Sequence, residues 1–291
     1  MKKIFLFSFI NLLSIILYGN NDFFNLPLSN SLMLATDQSV ISNKSFSLVS
    51  NPALMYDTDE IFTVEYNKIF YFAQTNYENF GISFGKKNKV GILINKFSSG
   101  KIEIRDIDGL PTDKTINYSL FSINTGIAAT FELFNKKNIF GIGITESFVF
   151  DNLTAETNNF FTHLGLVYNF YNKNYIKLFR CGFVIKSINY SQYTTYHFGY
   201  LIKTGILSII NSYENKTEKE NGKIKISLLF DIPVYNTNIA FGIGYCFSQN
   251  RDSNIATSGF NIKYKNFGFT YSYSFHELLG SINSIQINLE I

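Results

Sequence analysis

The feature that most constrains this chain is a strict alternation of side-chain character that starts near residue 60 and persists to Ile291. Within Asn238 to Ser248, one face carries Ile239, Phe241, Ile243, Tyr245 and Phe247. The other carries Asn238, Ala240, Gly242, Gly244, Cys246 and Ser248. A period of two is the period of a β-strand, whose successive side chains point to opposite faces. Phe267 to Phe275 repeats it, with aromatics set against Gly268, Thr270, Ser272 and Ser274. So do Phe140 to Phe150 and Ser284 to Ile291.

A soluble sandwich also alternates, so two further features matter. The runs are long: 89–105 and 116–133 exceed the five or six residues usual in globular strands. Strands that cross a membrane need about 9–11 residues and can project beyond it. The apolar face is also bulky and aromatic, while the opposite face is small and polar. Lipid-facing barrels require that inversion, with polar groups turned to the lumen. Composition agrees. Charged residues make up 16%, against about 25% for soluble domains.

An open sheet edge in hydrocarbon leaves backbone groups unpaired, so the sheet must close. The expected strands are 60–68, 70–86, 88–104, 115–133, 138–150, 158–171, 175–190, 193–204, 206–213, 222–234, 237–249, 254–265, 267–277 and 282–291. The ninth has the weakest pattern. It is retained because single-chain bacterial barrels have even strand numbers. The expectation is an all-β fold, a transmembrane antiparallel β-barrel of 14 strands over residues 60–291. Polar stretches at 106–114, 151–158 and 213–222 are expected as extracellular loops.

Residues 1–19 have the form of a signal peptide, with Lys2 and Lys3 before the apolar run Ile4 to Leu17 and Gly19 at the cut. The expected location is the outer membrane of a Gram-negative-type bacterium, with membrane lipid as one partner. Net charge is +3, or near +1 without Lys2 and Lys3. That balance excludes nucleic acid as a partner.

Residues 20–59 do not alternate. Asn51 is a good N-cap and Pro52 suits the first helical position, where a missing N–H costs nothing. A short helix therefore starts at Pro52. A segment of this length that cannot span is expected as an N-terminal helical plug in the lumen, with Leu32, Leu34, Leu48 and Leu54 packed inside. Asn51, Pro52 and Ala53 are its motif.

Ala35-Thr36-Asp37-Gln38-Ser39 and Ser50-Asn51-Pro52-Ala53-Leu54 together resemble the amino-terminal signature of the PorV/PorQ group. That group is related to FadL-type outer-membrane transporters, which carry an Asn-Pro-Ala in their plug. Tyr273 to Ser281 is similar to the group's penultimate hairpin. The resemblance implies transport of hydrophobic or amphipathic, fatty-acid-like molecules, so a hydrophobic small molecule is an expected ligand. It also implies an alternative: a scaffold for secretion or surface attachment, with secretion-complex proteins as partners.

No catalytic constellation stands out, and no enzyme activity or cofactor is expected. His163, His197 and His276 fall on the lumen face by alternation, but no pair has metal-ligand spacing. Asp106, Asp108 and Asp113 lack the bidentate Glu of a calcium loop and are expected as solvated loop carboxylates. Cys181 and Cys246 fall on opposite faces, which opposes a disulfide. Arg180, Lys186 and Lys203 are expected in the lumen or at its rims.

Overall fold

The computed structural model describes residues 39–42, 44–57, 60–71, 75–105, 111–133, 137–151, 159–172, 175–189, 194–216, 219–248, 254–276 and 280–291. The expected signal peptide (1–19), Leu32 and Leu34 lie outside them, as do Asp106 and Asp108.

The strands are β1 (Phe62–Phe70), β2 (Asn76–Gly85), β3 (Asn88–Arg105), β4 (Pro111–Leu133), β5 (Asn138–Asp151), β6 (Asn159–Tyr171) and β7 (Leu178–Lys186). Then come β8 (Thr195–Thr204), β9 (Leu207–Lys216), β10 (Lys219–Val234), β11 (Thr237–Ser248), β12 (Ile255–Tyr264), β13 (Phe267–His276) and β14 (Gly280–Glu290). Each pairs antiparallel with its neighbours in sequence, and β1 closes on β14 into one barrel of fourteen strands. The closing register sets Val64 opposite Leu289, while Val64 opposes Ile82 on the other side.

One end of the barrel carries the start of β1 and the finish of β14, and is called here the terminal end. Its hairpins are tight. Residues 205–206, 235–236 and 265–266 each join two strands. Tyr235 and Lys265 take φ of 51° and 50°, the left-handed conformation that two-residue hairpins need. The opposite, loop end carries all three polar stretches singled out above. Two of them are shorter than expected. β4 already begins at Pro111, and β9 and β10 continue to Lys216 and from Lys219. Antiparallel pairing satisfies the backbone whatever the side chains are, so charged residues continue the ladder beyond the apolar band.

The two faces are inverted relative to a soluble protein. In β1, Thr63, Glu65, Asn67 and Ile69 are buried inward, while Tyr66 and Phe70 stay 40% and 42% exposed outward. On β11, Phe241, Ile243 and Phe247 are exposed outward. Water does not tolerate so large an apolar surface. Hydrocarbon does, and the barrel is a transmembrane one.

Residues 39–42 and 44–57 lie inside it. Two 3₁₀ helices, Lys44–Leu48 and Pro52–Tyr56, are joined by a turn. The helix at Pro52 is therefore 3₁₀, a single tight turn rather than an α-helix. Val40, Phe46, Leu48, Ala53, Leu54 and Met55 are fully buried against the wall.

Candidate functional site

The site is the lumen, and its organisation starts from Asn51. Its backbone is extended, and its side-chain Oδ1 accepts a hydrogen bond from Ala53 N at 3.1 Å. Its Nδ2 donates to Ser39 O at 2.7 Å and to Leu166 O on β6 at 3.2 Å. One amide thus caps the helix, ties the segment to itself and fixes it to the wall. Pro52 occupies the first helical turn, and Ala53 packs with Leu54 and Val167.

The wall opposite this segment carries at least one inward glycine on every strand from β2 to β8. A Cβ built on Gly81, Gly91, Gly126, Gly141, Gly143, Gly165, Gly182 or Gly199 would come within 3.0 Å of the inner segment. At Gly143 the obstacle is the Pro52–Ala53 backbone, with Ala53 N 2.5 Å away. At Gly91 it is Met55 Sδ at 2.7 Å, and at Gly141 the Tyr56 ring at 2.6 Å. These positions lie on consecutive strands from β2 to β8, so half of the barrel is a smooth surface into which the segment fits.

Two charged anchors hold it. Arg180, inward on β7, donates to Val40 O at 3.1 Å and Asp57 Oδ1 at 2.6 Å, and its Nε donates to Asn169 Oδ1 at 2.8 Å. One guanidinium therefore grips both ends of the segment. Asn169 also donates to the Tyr56 hydroxyl at 2.6 Å. Burial pushes the pKa of that hydroxyl up, so it stays protonated. Across the lumen, Glu65 accepts from Ser45 N at 2.7 Å and from the Ser45 hydroxyl. Beside it, Lys44 pairs with Glu290 of β14. Glu290 also accepts from Lys263 at 2.5 Å.

Above the segment, towards the loop end, the lumen turns apolar. Ile69, Tyr77, Leu120, Val149, Phe161 and Ile282 form one buried cluster, with Tyr71, Phe97 and Tyr118 packed on it. A fully buried phenylalanine inside a polar-lined barrel needs an apolar neighbour, and this layer supplies several.

The remaining polar candidates are separate. His163 and His197 face inward and are buried, while the side chain of His276 lies outside the described residues. His197 shares a hydrogen bond with Thr195 at 3.0 Å. Among the described residues no three metal-ligating side chains converge. Lys186 is buried inward, and Lys203 pairs with Asp231 at 2.6 Å. Neither Cys181 nor Cys246 is in a disulfide. The side chain of Asp113 lies outside the described residues. Reading the sequence alone missed Glu65 and the double grip of Arg180. Both are single charges on an inward face, and nothing local marks their partners.

No family model and no curated protein matches the sequence. Solved structures do share its fold. The CymD monoaromatic hydrocarbon channel aligns with a TM-score of 0.54 at 9% identity, over 91% of this chain and 97% of that one. A FadL homologue of Pseudomonas aeruginosa aligns with a TM-score of 0.53 at 9% identity, over 91% of this chain and 99% of that one. The chain shares the barrel fold of these two structures over 91% of its length.

Proposed function

We propose that the protein is an outer-membrane channel for hydrophobic or amphipathic small molecules, with residues 20–59 as its plug. The observation that carries this reading is the apolar layer of Ile69, Tyr77, Leu120, Val149, Phe161 and Ile282. Lumen walls of open, water-filled barrels are polar. An aromatic and aliphatic layer buried in the loop-end half suits an apolar cargo arriving from outside. The loop end is then extracellular and the terminal end periplasmic. Below that layer the inner segment occupies the β2–β8 half of the lumen, so the barrel is not a wide pore. The shared fold with a monoaromatic hydrocarbon channel supports the same cargo class.

The test is binding of a radiolabelled long-chain fatty acid and of a monoaromatic hydrocarbon to the purified protein in detergent. Both, or one, bind saturably, and Phe161→Asp together with Leu120→Asp abolishes binding while the barrel still migrates as folded. Absence of saturable binding to the intact protein overturns the reading. Stable copurification with a secretion complex would then favour the scaffold instead.

A further inference from the structure

The half of the lumen that the inner segment does not fill has its own chemistry. Between Lys44 and the β10–β14 wall lies a cavity of about 240 Å³. Its wall residues include Asp231, Asn261, Lys263, Thr270, Gln286 and Glu290. At the terminal end Lys263 also borders a rim cleft of about 280 Å³, with Asn236, Asn238 and Lys265. Lys263 therefore stands between the cavity and the rim.

Towards the loop end the same wall continues in small polar residues. Register pairs Thr270 with Gln286 and Ser272 with Ser284, and the next inward residue of β13 is Ser274. Several polar atoms there find no partner in the protein. Gln286 Oε1, Ser272 Oγ and Ser274 Oγ make no hydrogen bond to it, although all three residues are almost fully buried. Neither amide atom of Asn79 has one, nor has Asn95 Oδ1. Asn79 and Asn95 oppose each other, and Asn67 links Gln286 to Asn79 across β1. One row of amides thus runs along the wall. The row above it is Ile69, Tyr77 and Phe97, which belongs to the apolar layer.

A buried polar atom left unpaired loses its hydration without compensation. Three of these atoms stand on β13 and β14 and three on β2 and β3, just across β1, too many to be dry, and the cavity beneath has room for about eight waters at about 30 Å³ each. The charges at its floor are arranged as a closure. Glu290 is shared by Lys44, on the inner segment, and Lys263, on the wall. Lys263 also reaches Glu60 at 3.4 Å.

We propose that the β10–β14 wall is a hydrophilic lane. It admits water and small inorganic ions from the terminal end up to the amide row, where the apolar layer stops them, and the Lys44–Glu290–Lys263 network is its gate. The lane is a second route of opposite polarity to the cargo layer. It rests on the barrel spanning a membrane, not on the identity of the cargo.

The test uses single cysteines in the full-length protein with Cys181→Ser and Cys246→Ser, held in lipid nanodiscs. Ala240→Cys lines the cavity, Ser272→Cys lies beside the amide row, and Leu93→Cys lies beneath the inner segment. A small trimethylammonium thiosulfonate should modify the first two at least tenfold faster than Leu93→Cys. Adding Lys44→Met should accelerate both again, by about threefold or more. Heat-modifiable gel mobility confirms that each variant is folded. Ser272→Cys reacting as slowly as Leu93→Cys in folded protein overturns the lane, and so does acceleration absent from Lys44→Met. Fatty-acid and hydrocarbon binding, measured on the same samples, reports on the cargo reading separately. Fast labelling without binding sinks that reading alone.

Discussion

The two halves of the lumen wall are built from the same alternating strands, yet they do opposite things. From β2 to β8 every strand carries an inward glycine where it faces the inner segment, and the wall there meets another part of the chain at van der Waals distance. From β10 to β14 they are Asp231, Asn261, Lys263, Thr270 and Gln286, and the wall meets a cavity. The comparison teaches that a missing side chain in a barrel is not always space for solvent. Gly143 is small because Pro52 and Ala53 already occupy its side-chain volume. Interiors are close-packed, so a wall can be smooth only where something else fills it.

The largest test of this asymmetry removes the filler. Deleting residues 39–57 should leave a barrel, because no strand pairs with them, but single-channel conductance in planar bilayers should rise at least tenfold over the intact form. An unchanged conductance would break the comparison outright.

Next in size is the anchor. Arg180→Leu leaves Asp57 and the Val40 carbonyl without their donor. Breaking a buried ion pair costs about 3–5 kcal/mol. The lower end applies here because the Asp57 side chain is 19% exposed. Thermal unfolding in detergent micelles should show the loss, with the inner segment becoming sensitive to protease before the barrel does. A protease-resistant segment would mean that Glu65 alone suffices to hold it.

Matched substitutions on the two walls come third. Gly143→Ala forces a methyl against the Pro52–Ala53 backbone, and overpacking of this kind costs about 1–3 kcal/mol. Ala240→Leu adds a larger group but points into the cavity, and should cost under about 0.5 kcal/mol. Equal losses for the two would show that both walls are packed alike.

The smallest expected effect is a titration. Lys44 is pushed down to about 8, chiefly by burial, with Lys263 and Lys89 acting the same way and Glu65 and Glu60 opposing. Below that pH the ammonium is charged and pairs with Glu290. Above it the amine is neutral and the pair is lost. Thiosulfonate labelling of Ser272→Cys, normalised to that of Leu93→Cys, should therefore rise modestly between pH 7 and pH 9 (about one pH unit either side of 8). Lys44→Met should show no such rise.

Much of this molecule is legible without coordinates. Period-two alternation identifies the faces of β11 and β13 residue by residue, because the direction of a strand side chain depends only on its place in the chain. Closure and the even count retained the weak ninth strand, and β9 is present as Leu207–Lys216. The helix start at Asn51-Pro52 is equally local, since a cap and its amide lie two residues apart. Where charged residues extend the ladder, as at Lys216 and Lys219, the polar pattern suggested loop instead. Hydrogen bonding between strands does not register in side-chain polarity.

By itself, then, the sequence determined which residues face lipid and which face inward, how many strands close the barrel, and where a helical turn begins. Only the tertiary structure decided what the inward residues meet. In sequence, Gly141-Ile142-Gly143 and Gly242-Ile243-Gly244 are the same pattern. In space, the first lies under Pro52 and Tyr56, while the second belongs to the strand whose Ala240 faces the cavity. Arg180 meets Asp57 across 123 positions of chain, and Glu65 meets Ser45 only because β1 curves back past the segment that precedes it. Alternation is a property of single strands. Which half of a closed lumen is filled depends on contacts between strands and a segment far away in sequence, and no local period records them.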